Sequence, residues 1–149
     1  MRVVVQRVSE ARVEVGTEVV AAIGPGLLLL VGLAVGDDRE TLAWMARKVT
    51  SLRIFPDADG AMNLGLNDVG GELLAVSQFT LLGDCRKGKR PSFGDAMAPD
   101  EAAPRFDEFV TELEQHVGRV ATGRFGAAMR VGLVNDGPVT LIVEHGGPR

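Results

Sequence analysis

Short extended segments separated by glycine turns make up the first part of the chain. These segments are rich in valine and leucine, which favour strands. They cover residues 2–8, 12–15, 19–23 and 27–35. Gly16-Thr17 and Gly24-Pro25-Gly26 lie between them and favour tight turns. Because tight turns join strands of opposite direction, the sequence predicts three or four antiparallel strands here.

Two later segments have the apolar periodicity of helices. Asp38 is typical of a helix N-cap, and apolar residues form one stripe from there to about residue 52. The second helical pattern follows Pro99 and ends at Gly118. Pro104 interrupts a helix that starts at Pro99, so we expect a short irregular turn before the regular part. Strands and helices together predict an α/β fold.

Composition indicates one domain in a reducing compartment. The 149 residues can bury roughly two-thirds of their unfolded surface in a single core. We place the domain at residues 1–145 and expect a disordered tail at 146–149. The one cysteine, Cys85, excludes an intrachain disulfide framework and favours a cytoplasmic location. The longest apolar run, near residues 27–35, is too short to span a bilayer, and we expect no targeting segment.

Common cofactor and metal motifs do not occur in the sequence. It contains no phosphate-binding Gly-x-x-x-x-Gly-Lys-Ser/Thr loop, no Gly-x-Gly-x-x-Gly, no His-Glu-x-x-His and no Cys-x-x-Cys. Residues 57–60, Asp-Ala-Asp-Gly, resemble the start of a calcium loop but lack the third ligand position and the distal glutamate. We therefore expect no metal and no organic cofactor.

A polar cluster interrupts an otherwise apolar strand pattern over residues 73–82. The cluster consists of Ser77, Gln78 and Thr80. If the whole segment is extended, both faces of the strand carry polar groups at the same end. A buried hydroxyl or amide without a partner costs about 1–3 kcal/mol, so the strand either meets another polar element or lines a pocket. Alternatively, the hydroxyls bond to neighbouring backbone and the amide meets solvent.

A second unusual stretch, Asn135-Asp136-Gly137-Pro138, lies between two predicted extended segments, residues 129–134 and 139–143. Asp-Gly between extended segments is typical of an ordinary hairpin. On its residues alone, the stretch therefore favours a hairpin turn over a functional site.

A basic loop follows the polar cluster. Four of the five residues 86–90 are cations: Arg86, Lys87, Lys89 and Arg90. The formal net charge of −4 argues against bulk attraction to nucleic acid, but such a local patch can hold a phosphate backbone. The alternative is a solvated loop. The same cations would favour a Cys85 thiolate nucleophile, although the two histidines, His116 and His145, are distant in sequence.

Considered together, these stretches resemble the D-aminoacyl-tRNA deacylase family over residues 1–144. The two central motifs show no departure from the family pattern. The resemblance rests on six ordered motifs: Gln6-Arg7-Val8; Arg53-Ile54-Phe55 with Met62-Asn63-Leu64; Ser77-Gln78-Phe79-Thr80-Leu81; Arg90-Pro91-Ser92-Phe93; Thr122-Gly123-Arg124-Phe125-Gly126; and Asn135-Asp136-Gly137-Pro138-Val139-Thr140. Six motifs in order are far more specific than any one of them.

The resemblance implies a hydrolase that proofreads chirality. Its substrates would be D-aminoacyl-tRNA and glycyl-tRNA, cleaved at the ester that joins the amino acid to the terminal adenosine. The implied fold is a curved, barrel-like, mainly antiparallel sheet with two packed helices, assembled as a homodimer. No cofactor, membrane or DNA is implied as a partner.

The resemblance also implies roles for individual residues. The catalytic floor would comprise Ser77, Gln78, Phe79 and Thr80, with Phe79 contributing backbone polar groups. Gly137 and Pro138 would form a cis pair that enters the partner subunit's active site and excludes L side chains. Arg7 would support this pair, and Met129 would border the pocket. Phosphate contacts would come from Arg86, Lys87, Lys89 and Arg90.

Two mechanisms and two other functions remain as alternatives. Thr80 could act as a nucleophile, or the 2′-hydroxyl of the terminal ribose could assist an attacking water. We favour the second, because an aminoacyl ester is already reactive and needs chiefly orientation and backbone stabilisation of the oxyanion. The other functions are a non-catalytic module that binds RNA 3′ ends and a small-ester hydrolase that uses Cys85.

Overall fold

A computed structural model describes residues 1–146, so the tail expected at 146–149 lies, beyond Gly146, outside the described residues. The described part contains eight strands and two α-helices. The strands are β1 (Arg2–Val15), β2 (Glu18–Ile23), β3 (Gly26–Gly32), β4 (Phe55–Pro56), β5 (Met62–Leu64), β6 (Glu72–Ser77), β7 (Val120–Thr122) and β8 (Arg130–Glu144). The helices are α1 (Arg39–Ser51) and α2 (Pro99–Val117).

Strand β1 organises the main sheet. It pairs antiparallel with β2, β3 and β8, whereas β3 with β6 and β6 with β7 are parallel. In the chain, α1 lies between β3 and β6, and α2 lies between β6 and β7. Each helix therefore belongs to a crossover of the kind that parallel pairing requires. Contacts of β2 with β6 and β7 curl the sheet into a nearly closed barrel, which confirms the predicted α/β fold and barrel-like sheet.

Strands β3 and β6 are buried on both faces. Leu27, Leu29 and Leu73 pack in the core beneath the helices, whereas Leu28 and Leu74 pack in a second core on the other face of the sheet. This explains why both strands read as continuous apolar runs rather than as alternating ones. Each fully buried leucine contributes roughly 1.5–3 kcal/mol, so these two strands form a rigid base for the residues that follow β6.

The first helix agrees with the prediction and the second differs at its start. The side chain of Asp38 accepts a hydrogen bond from the Thr41 amide (2.9 Å), as an N-cap does. Helix α2 runs continuously from Pro99 through Pro104, so the predicted irregular turn is wrong. The carbonyl that Pro104 leaves free belongs to Asp100 in the exposed first turn, where water can satisfy it. Neither described helix has the length and apolarity needed to cross a membrane.

Strands β1 and β8 are longer than the sequence indicated. The segments predicted at residues 2–8 and 12–15 form the single strand β1, and the two predicted segments around Gly137-Pro138 form the single strand β8. The hairpin interpretation is wrong because both halves of β8 pair antiparallel with β1. Gln6 pairs with Thr140 and Val8 pairs with Asn135, so residues 136–139 all lie opposite Arg7. They form a bulge that we call the Gly-Pro corner.

Candidate active site

A cleft of about 660 Å³ opens at the carboxyl end of β6. Ser77, Gln78 and Phe79 lie along it, and Met129 lines it from the segment that precedes β8. Most of the remaining lining is apolar. Six of its residues come from the start of α2 and the segment before it, and six lie at or near the ends of β3, β6, β7 and β8: Phe93, Ala96, Met97, Ala98, Pro99 and Ala102; and Leu33, Val76, Phe125, Gly126, Ala127 and Val131. An apolar cleft with a few convergent polar groups is the usual form of a small-molecule site.

The polar cluster does not continue the strand as predicted. Strand β6 ends at Ser77, and residues Phe79–Leu82 form a single 3₁₀ turn. The extended conformation expected over residues 73–82 is therefore wrong for its last part. Gly32 of β3 explains the turn, because a Cβ there would lie 2.5 Å from Leu82 Cδ2 and 3.0 Å from Leu81 Cβ. The turn thus packs its two leucines against a glycine of the neighbouring strand.

The 3₁₀ turn leaves two backbone donors available beside the cleft. The amide of Gln78 donates to the Val31 carbonyl (2.7 Å), and Leu81 donates to the Gln78 carbonyl (3.2 Å). Within residues 1–146, the amides of Phe79 and Thr80 have no acceptor. They are the first N–H groups of the turn, which have no intrahelical partner. The side-chain amide of Gln78 donates to the Thr80 hydroxyl, so Thr80 supports Gln78, while Thr80 itself is not part of the cleft lining.

Arg7, on the neighbouring strand β1, bonds to the Gly-Pro corner. Its side chain is only 10% exposed. One guanidinium nitrogen donates to the Ile54 carbonyl (2.6 Å), and Nε donates to the Asp136 carbonyl (3.0 Å). The Asp136 carboxylate lies 3.7 Å from Nε. Arg7 therefore links the segment before β4 to the first residue of the corner.

Asn135 closes the corner from the side. Its Oδ1 accepts a hydrogen bond from the Val139 amide (2.7 Å), and its Nδ2 donates to the Thr140 hydroxyl (2.8 Å). The Gly137-Pro138 peptide bond is cis, as the family resemblance implied. Gly137 has φ of +135°, and a Cβ there would lie 2.9 Å from both Arg7 Nη2 and Val139 Cγ2. Only glycine fits this position without moving Arg7.

The corner and the cleft lie apart in this chain. Gly137 and Pro138 do not line the cleft, and both are exposed. The corner lies opposite Arg7, which pairs with Leu27, and Leu27 pairs with Leu73. The corner is thus three strands across the sheet and four residues along it from Ser77. Ideal strand spacings make this roughly 20 Å over the sheet surface.

A backbone pair closes the base of the basic loop, and the four cations of the loop differ in whether they form an ion pair. Asp84 and Ser92 exchange two backbone hydrogen bonds (2.7 and 2.9 Å). Arg86 donates twice to the Asp84 carboxylate (2.8 and 2.7 Å). These hydrogen bonds lower the pKa of Asp84 to about 2 and raise the pKa of Arg86. In the part of the chain that the structure describes, Lys87, Lys89 and Arg90 are exposed and form no ion pair, so they carry the loop's free positive charge.

The thiol alternative receives no support from the geometry. Cys85 is exposed and does not line the cleft. His145 stacks on Trp44 with ring centroids 4.0 Å apart, and His116 lies near the far end of α2. Among the residues described, no group of three or more His, Cys, Asp or Glu side chains could hold a metal ion.

Some residues at these two places had no role in the sequence analysis. Phe93 and Phe125 line the cleft, and Asn135 closes the corner. All three lie inside the quoted motifs, so membership of a motif was the available signal. Met97 and Ala102 lie in no motif and reach the cleft because α2 begins there.

Comparison with known proteins gives consistent matches over nearly the whole chain. A family model described as D-Tyr-tRNA(Tyr) deacylase matches residues 4–144. The D-aminoacyl-tRNA deacylase of Roseiflexus sp. (strain RS-1) is 57% identical over 144 residues, covering 97% of this chain and 93% of the relative. The D-aminoacyl-tRNA deacylase of Geobacillus sp. (strain WCH70) is also 57% identical, covering 97% and 95%.

Two solved structures share the fold. A c-Myc DNA unwinding element binding protein is 39% identical with a TM-score of 0.92, covering 98% of this chain and 99% of the other. A "probable eukaryotic D-amino acid tRNA deacylase" has a TM-score of 0.81 at 20% identity, covering 95% and 97%. At that identity, the second likeness concerns the fold alone.

Proposed function

Because the chain belongs to the D-Tyr-tRNA(Tyr) deacylase family, we propose that it hydrolyses the ester bond of D-aminoacyl-tRNA and of glycyl-tRNA. The products are the free amino acid and tRNA. The family match over residues 4–144 carries this proposal. The cleft beside Ser77, Gln78 and Phe79 supplies the place where the terminal adenosine and its amino acid bind.

The free backbone donors of the 3₁₀ turn support a mechanism without a side-chain nucleophile. A water oxygen attacks the ester carbonyl carbon, and the amides of Phe79 and Thr80 stabilise the developing oxyanion. The bond between the carbonyl carbon and the ribose 3′-oxygen then breaks, and that oxygen takes the proton that the water loses. The neighbouring 2′-hydroxyl of the ribose assists this proton transfer. Thr80 supports Gln78 through their hydrogen bond.

Chirality is selected by the Gly-Pro corner of a second subunit. A rigid backbone wall facing the substrate α-carbon excludes any side chain in the L direction, whereas glycine has no side chain to exclude. Arg7 and Asn135 give the corner the required rigidity. Steric exclusion by such a wall is stricter than the ~1–3 kcal/mol that a missing methylene in a pocket provides.

Several features of β8 support a homodimer that brings corner and cleft together. The corner is exposed and roughly 20 Å from its own cleft by strand spacing. In the described residues β8 pairs only with β1, so its other edge is open. Large apolar side chains are exposed along it: Leu133 (36%), Val134 (50%), Leu141 (38%) and Ile142 (66%). Exposed apolar edge strands are surfaces that proteins normally cover.

The basic loop contacts tRNA phosphates in this proposal. Lys87, Lys89 and Arg90 are the loop cations that form no ion pair within residues 1–146, whereas Arg86 is held by Asp84. Local cations of this kind bind a phosphate backbone even on a chain of net negative charge.

Matched D- and L-aminoacyl-tRNA test the proposed reaction directly. We expect release of the D-amino acid and of glycine, while the L-aminoacyl ester survives. Equal release of D and L forms would contradict chiral selection, and tight binding without release would favour the RNA-binding module. Rates should be the same with and without a chelator, and a chelator-sensitive rate would contradict the metal-free mechanism.

Mixing two defective variants tests the shared site. Gly137→Ala disturbs the corner and leaves the cleft intact, whereas Ala127→Trp fills the cleft and leaves the corner intact. If subunits exchange the corner, random mixing rebuilds one working site in half of the dimers and restores about a quarter of wild-type activity. A site completed within one protomer predicts no recovery, and a fully active monomer would also contradict the proposal.

A further inference from the structure

An aromatic pair marks the boundary between the cleft and the basic loop. The rings of Phe79 and Phe93 meet edge to face, with centroids 5.3 Å apart and an interplanar angle of 70°. Both line the cleft, yet Phe79 is 55% exposed and Phe93 is 39% exposed. Single exposed apolar residues are ordinary, but two paired aromatic rings at the mouth of a site form a specific surface.

The backbone holds this pair in place. Phe93 directly follows the Asp84–Ser92 pair that closes the base of the basic loop. At Gly83, a Cβ would lie 3.0 Å from a Phe93 ring carbon. Glycine therefore allows the Phe93 ring to lie close to the backbone that follows the 3₁₀ turn. Because the turn carries Phe79 and the loop base carries Phe93, the two rings are fixed to the same rigid unit.

The ring pair joins the cleft to the basic loop through the chain. Both rings line the cleft, and the exposed cations Lys87, Lys89 and Arg90 lie within the six residues that precede Phe93. Aromatic rings beside unpaired cations are the combination that binds single-stranded nucleic acid, since the rings stack on bases and the cations contact phosphates.

We propose that the Phe79–Phe93 pair is a stacking platform for the unpaired nucleotides that precede the terminal adenosine of tRNA. This inference rests on the proposed function, which places the terminal adenosine and its amino acid in the cleft. The next bases of the strand then pass over the ring pair, and their phosphates lie along the loop. The platform recognises the single-stranded character of the end, because every base has a face that can stack.

Two substrates separate the platform from the cleft. D-aminoacyl-tRNA has the preceding nucleotides, and D-aminoacyl-adenosine lacks them. We expect the wild-type enzyme to prefer the tRNA in kcat/KM, and Phe93→Ala to reduce that preference by roughly tenfold through a higher KM for tRNA. Phe93→Tyr keeps a flat ring and should retain the preference. Val19→Ala removes another exposed apolar side chain (54% exposed) from β2, outside the cleft lining, and should change nothing.

Phe93→Leu distinguishes stacking from packing. Leucine still covers Phe79 but offers no flat face, so we expect it to lose the preference as alanine does. A leucine variant with the wild-type preference would overturn the platform, and so would an alanine variant in which both substrates lose kcat/KM equally. If the wild-type enzyme hydrolyses neither substrate, the proposed function fails as well. If it hydrolyses both equally, only the platform fails.

Discussion

The Gly-Pro corner and the floor of the cleft differ in whether side chains bond to their backbone polar groups. In the corner, Arg7 donates a hydrogen bond to the Asp136 carbonyl, and the Asn135 side chain accepts one from the Val139 amide. On the floor, the amides of Phe79 and Thr80 have no acceptor within residues 1–146. Arg7 and Asn135 therefore fix the two ends of the corner, which suits a role as a rigid wall. The floor has unused donors and suits a role as a receptor.

Gly137→Ala is the most direct way to break the corner. The new Cβ meets Arg7 Nη2 and Val139 Cγ2 at 2.9 Å, and φ of +135° is strained for alanine. We expect kcat/KM for D-aminoacyl-tRNA to fall by about a hundredfold, because a displacement of about 1 Å in a positioning element can cost that much. Single-turnover release of a labelled D-amino acid measures the effect.

Gly60→Ala is the matched control for that variant. Gly60 also has a positive φ, +82°, but a Cβ there meets nothing within 4 Å. It lies in the turn between β4 and β5. We expect wild-type deacylation from it, so a similar loss in both variants would assign the effect to backbone strain and remove the special status of the corner.

Arg7→Lys loosens the corner and retains the positive charge. Lysine cannot donate from two fixed positions to both the Ile54 and the Asp136 carbonyls, so one of these bonds is lost. We expect deacylation to fall by roughly tenfold and the free energy of unfolding to fall by about 1–3 kcal/mol, the cost of an unsatisfied buried carbonyl. Denaturant unfolding and kinetics measure the two effects.

Arg12→Lys makes the same exchange at an exposed position of the same strand. The Arg12 side chain is 62% exposed, and among residues 1–146 it forms an ion pair with Glu14 alone. Its activity and stability should remain at wild-type values. If Arg7→Lys did so too, Arg7 would not support the corner.

Local patterns predicted the elements that depend on local chemistry. The Asp38 cap and the stripe of α1 are set by neighbours within four residues, and the structure confirms both. Pro104 was misleading because its effect depends on how far it lies from the helix start. The parallel pairing of β3 with β6 depends on a crossover about forty residues long, which no local window contains.

In the floor and the corner, as in the rest of the fold, local sequence and long-range contacts determine different features. Motifs identified both the floor and the corner, but the 3₁₀ turn at Phe79 depends on the missing side chain of Gly32, a contact between distant residues. The separation of the corner from the cleft follows only from the register of β8 on β1. Residue identity thus selects the candidate groups, and long-range pairing decides where they lie.

Thr80→Ala tests whether the floor acts through its backbone. The variant removes a hydroxyl that accepts a hydrogen bond from Gln78 and leaves the Phe79 and Thr80 amides in place. We expect deacylation to fall by less than about tenfold, in line with one lost hydrogen bond. Loss of a true nucleophile costs on the order of 10⁴-fold or more.

Thr80→Ser provides the internal comparison. If deacylation is nearly abolished in Thr80→Ala and restored in Thr80→Ser, with binding and fold retained in both, then Thr80 is the nucleophile. The floor would then act through a side chain rather than through its free backbone amides, and its contrast with the corner would be wrong. Similar rates for both variants would sharpen it.

Asp84→Asn has the smallest expected effect. It tests whether the ion pair between Asp84 and Arg86 limits how strongly the basic loop attracts tRNA. Asparagine keeps an oxygen for the Arg86 amide, which lies 3.0 Å from Asp84 Oδ1, but removes the charge that holds the Arg86 guanidinium. The released cation should strengthen tRNA binding by about two- to threefold and steepen the salt dependence of log K by roughly 0.7. Glu114→Gln removes the same charge at an exposed position of α2 and should leave the salt dependence unchanged.

The Asp84–Arg86 ion pair also predicts how the difference in tRNA affinity between Asp84→Asn and wild type depends on pH. Hydrogen bonds from Arg86 lower the pKa of Asp84 from 3.8 to about 2. Its stabilising contribution is therefore fully present above about pH 4 and is lost only as the pH falls through about 2. The affinity ratio of Asp84→Asn to wild type should thus stay constant between about pH 5 and about pH 8. A ratio that changed within this range would mean that Asp84 does not hold Arg86 as an ion pair, and the loop would then present four free cations rather than three.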